Sequence, residues 1–158
     1  MTKRTIATDE VTRIRRLKTP EECRAFADNA KRLGRPDLVP ECLLRKAELL
    51  AARKAVVATT DLERRLVRDM CLIEQLSGKR LSRTWPMIRR HGFIGTVERI
   101  VTRPGPSSGF DLAVKNGLPE ATFERAVLDN PELFSEAALT AARNRLSHSG
   151  QPTEGDPK

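Results

Sequence analysis

Helix starts and stops punctuate this chain throughout, and no run of five residues between them alternates apolar and polar cleanly. That combination leaves no support for a sheet. Thr19-Pro20-Glu21-Glu22 supplies a capping hydroxyl, a proline for the first turn and two acids at the positive end of a helix dipole. The spacing predicts a helix from there to about Leu33, stopped by Gly34. Arg35-Pro36-Asp37 opens a second helix that should run to about Val57, with Val39, Leu43, Ala47 and Leu50 on one face. The two would form an antiparallel hairpin.

Thr60-Asp61 starts a third helix ending at Gly78, with Leu62, Leu66, Met70, Ile73 and Leu76 on one face. A short helix from Ser82 or Thr84 to His91 follows, closed by Gly92, and another from about Gly95 to Thr102. Pro104 to Gly109 is the clearest loop. Three more helices are expected, over about 109–116, 119–128 and 135–146. The fold class is therefore all-α, with seven or eight short helices. The expected organisation is a basic N-terminal arm (1–18), a helical hairpin (19–58), a helical domain (59–146) and a polar, disordered tail (147–158). At 158 residues the chain can bury one real core or form two small helical lobes.

Charge is the second constraint. The net charge is +8, and its distribution is uneven. Residues 1–18 hold six basic and two acidic side chains; residues 79–103 hold seven basic and one acidic, Glu98. Residues 104–158 are net −3. A polarised charge favours a basic face and an anionic partner. The acidic part brings Phe110, Leu112, Phe123, Val127, Leu128, Leu133, Phe134 and Leu139 to bury, and reads as a scaffold.

The stretch Arg80 to Arg103 gathers six arginines, the only tryptophan and one of two histidines. Two overlapping segments in it have the form of a support helix, a turn and a reading helix. In the first, the helix ending at Ser77 meets Gly78, and Ser82, Arg83 and Thr84 open the next helix, where backbone amides favour phosphate. In the second, residues 87–92 are support helix and turn, Phe93-Ile94 packs inward, and Gly95-Thr96-Val97 opens the reading helix.

The run HGFIGTVERI resembles the turn and reading helix of helix-turn-helix DNA-binding proteins, over residues 87–103. It departs from the common form in two places. Thr96-Val97 comes one residue early after Gly92, and Ile94 stands where a capping residue is usual. Either departure means a shifted turn or no such motif. The wider pattern, with PELFSEAAL downstream, is similar to segments of uncharacterised bacterial proteins and implies no activity.

The expected nucleic-acid contacts are Lys79, Arg80, Ser82, Arg83, Thr84, Arg89, Arg90, His91, Thr96, Arg99 and Arg103. Each has a plainer reading. Arginines on short helices often only solvate an exposed face. Trp85, with Leu81 and Ile88 nearby, fits helix packing. His91 before Gly92 fits a helix C-terminus. Glu98 would pair with a neighbouring arginine. Thr12 to Lys18 is a phosphate-gripping arm or the start of a helix, since Val11, Ile14 and Leu17 are spaced by three.

Catalysis has little to work with. The three cysteines lack CxxC spacing and read as buried free thiols, so neither a disulfide framework nor a zinc site is expected. A Cys–His pair would need His91 to reach Cys71. No phosphate-binding glycine loop is present. The expectation is a non-enzymatic, cofactor-free, double-stranded DNA-binding protein of bacterial type, a regulator or accessory factor in the cytoplasm. DNA is favoured over RNA, and the chain could pair as a homodimer. The alternative is an adaptor that docks on a larger protein through apolar helical surfaces. No membrane span and no secretory signal are expected.

Overall fold

The computed structural model describes residues 8–105 and 107–149. Among them are eight α-helices and no strand. They are α1 (Thr8–Arg15), α2 (Pro20–Arg32), α3 (Val39–Ala51), α4 (Asp61–Ser77), α5 (Thr84–Val101), α6 (Ser108–Lys115), α7 (Phe123–Asp129) and α8 (Glu136–His148). Short 3₁₀ turns at Pro36–Leu38, Pro119–Ala121 and Pro131–Leu133 link them.

Local capping chemistry fixes the starts. The Thr19 hydroxyl accepts from the Glu22 amide at 3.1 Å. At α4 the cap is reciprocal: Glu63 N donates to Thr60 Oγ1 at 3.1 Å, and Thr60 N donates back to Glu63 Oε1 at 3.2 Å. Thr59 adds two more donors to the same carboxylate, its backbone amide and its hydroxyl, both at 2.8 Å. Those bonds hold Glu63 below the usual carboxylate range, the Thr59 amide contributing most. Ser107, Thr122 and Ser135 cap α6, α7 and α8 in the same way.

The ends depart from expectation once. α3 stops at Ala51, not near Val57. The β-branched Val56 and Val57 disfavour helix. The chain instead crosses to α4 in an open link that lays Val56 and Ala58 on the core and leaves Val57 exposed.

Two apolar clusters hold the fold. The larger unites Leu66, Met70 and Leu72 of α4 with Val97 and Val101 of α5, Val127 of α7 and Leu146 of α8. Ala47, Leu43 and Leu50 of α3 join it, so the hairpin packs on the rest. The smaller cluster joins Ile14 of α1 to Ala27, Ala30, Leu38 and Cys42. Arg35 ties α1 down by a fork onto Glu10 at 2.6 and 2.8 Å, and it also holds Asp37. Residues 8–15 are thus a docked helix; residues 1–7 of the expected arm lie outside the described residues. So do residues 150–158 of the expected tail, whereas Ser147 and His148 are helical. All three cysteines are free and buried, and burial pushes the Cys42 thiol to about 12 and Cys71 to about 11. In the acidic part Phe110, Val127, Leu128, Phe134 and Leu139 are buried, while Leu133 is exposed.

One carboxylate inside the core is out of place electrostatically. Asp69 is 1% exposed. Burial pushes it up to about 6, against the charge and hydrogen bonds of Arg68 and the charge of Arg65. Its folded value exceeds the ordinary 3.8, so its contribution to stability is complete below about 3.8 and is lost as pH rises through about 6.

Two measurements check these points. Thr60→Ala should lower stability by about 1 kcal/mol in urea unfolding, an unchanged midpoint contradicting the cap's role. Asp69→Asn removes the titration. Its stability relative to the parent should rise by about 3 kcal/mol between pH 3 and pH 7. A difference that does not vary with pH would contradict the raised value.

Candidate nucleic-acid interface

The basic segment is built on the α4–α5 connection. Gly78, at φ 69°, closes α4 in the left-handed conformation that glycine adopts without strain. Six residues later α5 begins. Glu74, one turn before the end of α4, locks the connection. Its Oε2 accepts from the Leu81 amide at 2.8 Å and from Trp85 Nε1 at 2.9 Å. Its Oε1 accepts from Lys54 Nζ at 3.1 Å, and that ammonium lies 5.0 Å from the Trp85 ring centroid. Burial pushes Glu74 up, but the bonds from Trp85, Leu81 and Lys54 outweigh it and leave the carboxyl below its ordinary value. Trp85 is buried as the packing reading expected. The sequence places Glu74 just before Gly78, as an acid able to interleave with the arginines, but shows neither its role in holding the connection nor Lys54. Their contacts span 7, 11 and 20 residues, beyond any local spacing rule.

α5 is broken in the middle. Gly92 has φ 74° and ψ 175°, a backbone region essentially restricted to glycine. A straight helix would put positions 87 and 103 about 24 Å apart. Instead Arg103 Nη2 lies 3.9 Å from Met87 Sδ, so the two halves fold toward each other. The break is one residue long, and helix resumes at Phe93. A helix-turn-helix joins its helices through three or four residues. Phe93 and Ile94, expected to pack inward ahead of the reading helix, do pack on the core, but as the first turn of the second half.

The expected contact residues divide cleanly. Lys79, Arg80, Ser82, Arg83, Arg89, Arg90, His91, Arg99 and Arg103 are exposed, and Thr84 is half-buried. Thr96 is not available: it is 1% exposed, facing the core beside Phe93 and Val97, so it offers no hydroxyl to an outside phosphate. Arg83 stands at the start of α5, where no side chain caps the helix. Arg80 and Arg89 flank a groove floored by Trp85, Ile88 and Phe93, with Lys54 on the same groove. Desolvation lowers the affinity of His91 for a proton, and the charges of Arg99 and Arg90 lower it further.

The acids near this segment are committed elsewhere. Glu98, expected to pair with an arginine, instead accepts from Ser135 N at 2.6 Å and Ser135 Oγ at 2.7 Å, reinforcing the start of α8. Glu74 holds Trp85 and Lys54, and Asp69 holds Arg68. Among the described residues, Lys79, Arg80, Arg83, Arg89, Arg90, Arg99 and Arg103 have no ion pair. Cys71 is buried and His91 exposed, so the two do not form a catalytic pair. No group of three or more His, Cys, Asp and Glu side chains among the described residues could hold a metal ion. No helix among them is long and apolar enough to cross a membrane. The chain matches no protein-family model, no curated protein sequence and no solved structure.

The break at Gly92 yields a prediction. A Cβ there would meet nothing within 4 Å, so the cost of Gly92→Ala is backbone strain alone. Stability should fall by about 2 kcal/mol, read by Trp85 emission during urea unfolding. A neutral substitution would mean that the two halves do not need this conformation.

Proposed function

We propose that the protein binds double-stranded DNA through the basic segment 79–103. One observation carries the reading: seven basic side chains on this segment are exposed and, among the described residues, have no ion pair, while Glu98, Glu74 and Asp69 are bound to other partners. Phosphates of a duplex recur along a line, and cations spread over both halves of a bent helix suit an extended anion. A single small anion would need donors converging on one point. Arg83, Arg89, Arg90, Arg99 and Arg103 supply most of the attraction, with Lys79 and Arg80 adding to it. Ser82 and Thr84 lie beside Arg83 and can donate to phosphate. Trp85 holds the first half of α5 from beneath rather than stacking on bases. The acidic part, α6 to α8, acts as scaffold: Ser135 holds Glu98 and Arg145 holds the carbonyls at the end of α5.

Fluorescence anisotropy with a labelled random-sequence duplex of about 30 base pairs tests this. Wild type should bind at low salt, with affinity falling steeply as salt rises, about 0.9 in logarithmic slope for each phosphate neutralised. An Arg83→Ala/Arg89→Ala/Arg90→Ala/Arg99→Ala variant, shown to be helical by circular dichroism, should lose most of that binding. Absence of binding at low salt, or equal binding by the variant, would defeat the reading. Tighter binding to a double-stranded RNA of the same length would keep the basic face and move its target.

A further inference from the structure

A cavity of about 160 Å³ lies between α4, α5, α6 and the segment leading into α7. That is close to the roughly 150 Å³ that accommodates one benzene ring. Met70, Ile73, Leu81, Phe110 and Phe123 give it apolar walls. Arg103 and Ser108 are exposed at its edge. Asp69 also lines it.

Asp69 is half satisfied. Its Oδ1 accepts from Arg68 Nε at 3.0 Å and Arg68 Nη2 at 2.8 Å. Its Oδ2 has no hydrogen-bond partner among the described residues. Arg65 Nε stands 4.0 Å away, too far to donate. The rest of that guanidinium is held elsewhere, by Asp129 at 2.9 Å and the Glu120 carbonyl at 3.1 Å. Among the described residues two other buried side-chain atoms lack a partner, Gln75 Nε2 and Thr96 Oγ1, and neither residue lines this cavity. Glu124 does line it, but its Oε2 is taken by Arg145 at 2.6 Å.

We propose that this cavity binds a small, uncharged, ring-sized molecule with one hydrogen-bond donor, such as a phenol, and that Asp69 Oδ2 accepts the donor. The charge balance selects a neutral ligand over an ammonium. Arg68 already pairs with Asp69, Arg65 lies close behind it, and Arg103 lines the edge, so an added cation would meet one guanidinium and find the carboxylate's charge already offset by two more. What the carboxylate lacks is a donor, not a positive charge. The apolar walls select the ring. The inference rests on the cavity alone and does not depend on the nucleic-acid reading.

The test titrates the full chain, with labelled methyl groups, with phenol and separately with toluene. Signals of Met70, Ile73 and Leu81 should move with both. Phenol should bind about tenfold tighter, because a donor to a buried charged acceptor is worth at least that factor. In Asp69→Leu the preference for phenol should disappear while toluene still binds. No movement of these signals with either probe would overturn the proposal, leaving a hydration site only. Equal affinity for the two probes in wild type, or an unchanged preference in Asp69→Leu, would overturn the role of Asp69. Should that variant fail to fold, the wild-type ratio together with the shifted signals decides.

Discussion

A single carboxylate organises the basic half of this molecule. Glu74 is bonded to the Leu81 amide, the Trp85 indole and the Lys54 ammonium. The first bond sets the path of the chain after α4. The second orients the only tryptophan, and with it the first half of α5. The third brings the link between α3 and α4 over the indole face. A partly buried carboxylate stripped of these donors would be costly, so the contacts stand or fall together. Everything exposed between Lys79 and His91 is displayed by a frame that depends on this group.

The same economy of acids explains why the segment stays positive. In the sequence, Glu98 sits beside Arg99 and looks like its neutralising partner. In the fold it turns to the amide and hydroxyl of Ser135 at the start of α8. An acid that caps a helix is held by two donors and by the helix field, whereas an exposed pair with Arg99 would gain little. The acid joins two elements, and the arginine stays at the surface with no ion pair among the described residues.

Helix starts were the most legible part of the sequence because caps are local. Thr19, Thr60 and Ser135 each act on an amide three residues ahead. Glycines 34, 78 and 92 marked real breaks, all with positive φ. The position of Thr96 was also available to inspection: Phe93, Thr96, Val97 and Val101 follow the three- and four-residue spacing of one buried face. Reading the segment as a turn plus a reading helix put Thr96 on the wrong side, since a break of one residue shifts the phase of everything after it. The contacts of Glu98 with Ser135 and of Lys54 with Glu74 were not legible, because they join residues 37 and 20 positions apart that only packing brings together. The cavity beside Asp69 belongs to the same class, since four elements must assemble before it exists.

Arg145 has a consequence for the field outside the protein. From α8 it donates to the carbonyls of Ile100, Arg103 and Gly105 while pairing with Glu124. The carbonyl end of a helix carries roughly half a negative charge, which would repel an approaching polyanion at the place where Arg103 is exposed. A guanidinium supplied by the acidic part of the chain covers that end. Its charge is balanced by Glu124 beneath it, so the correction adds little to the net charge. The repulsion is removed where it would act, beside the exposed Arg103.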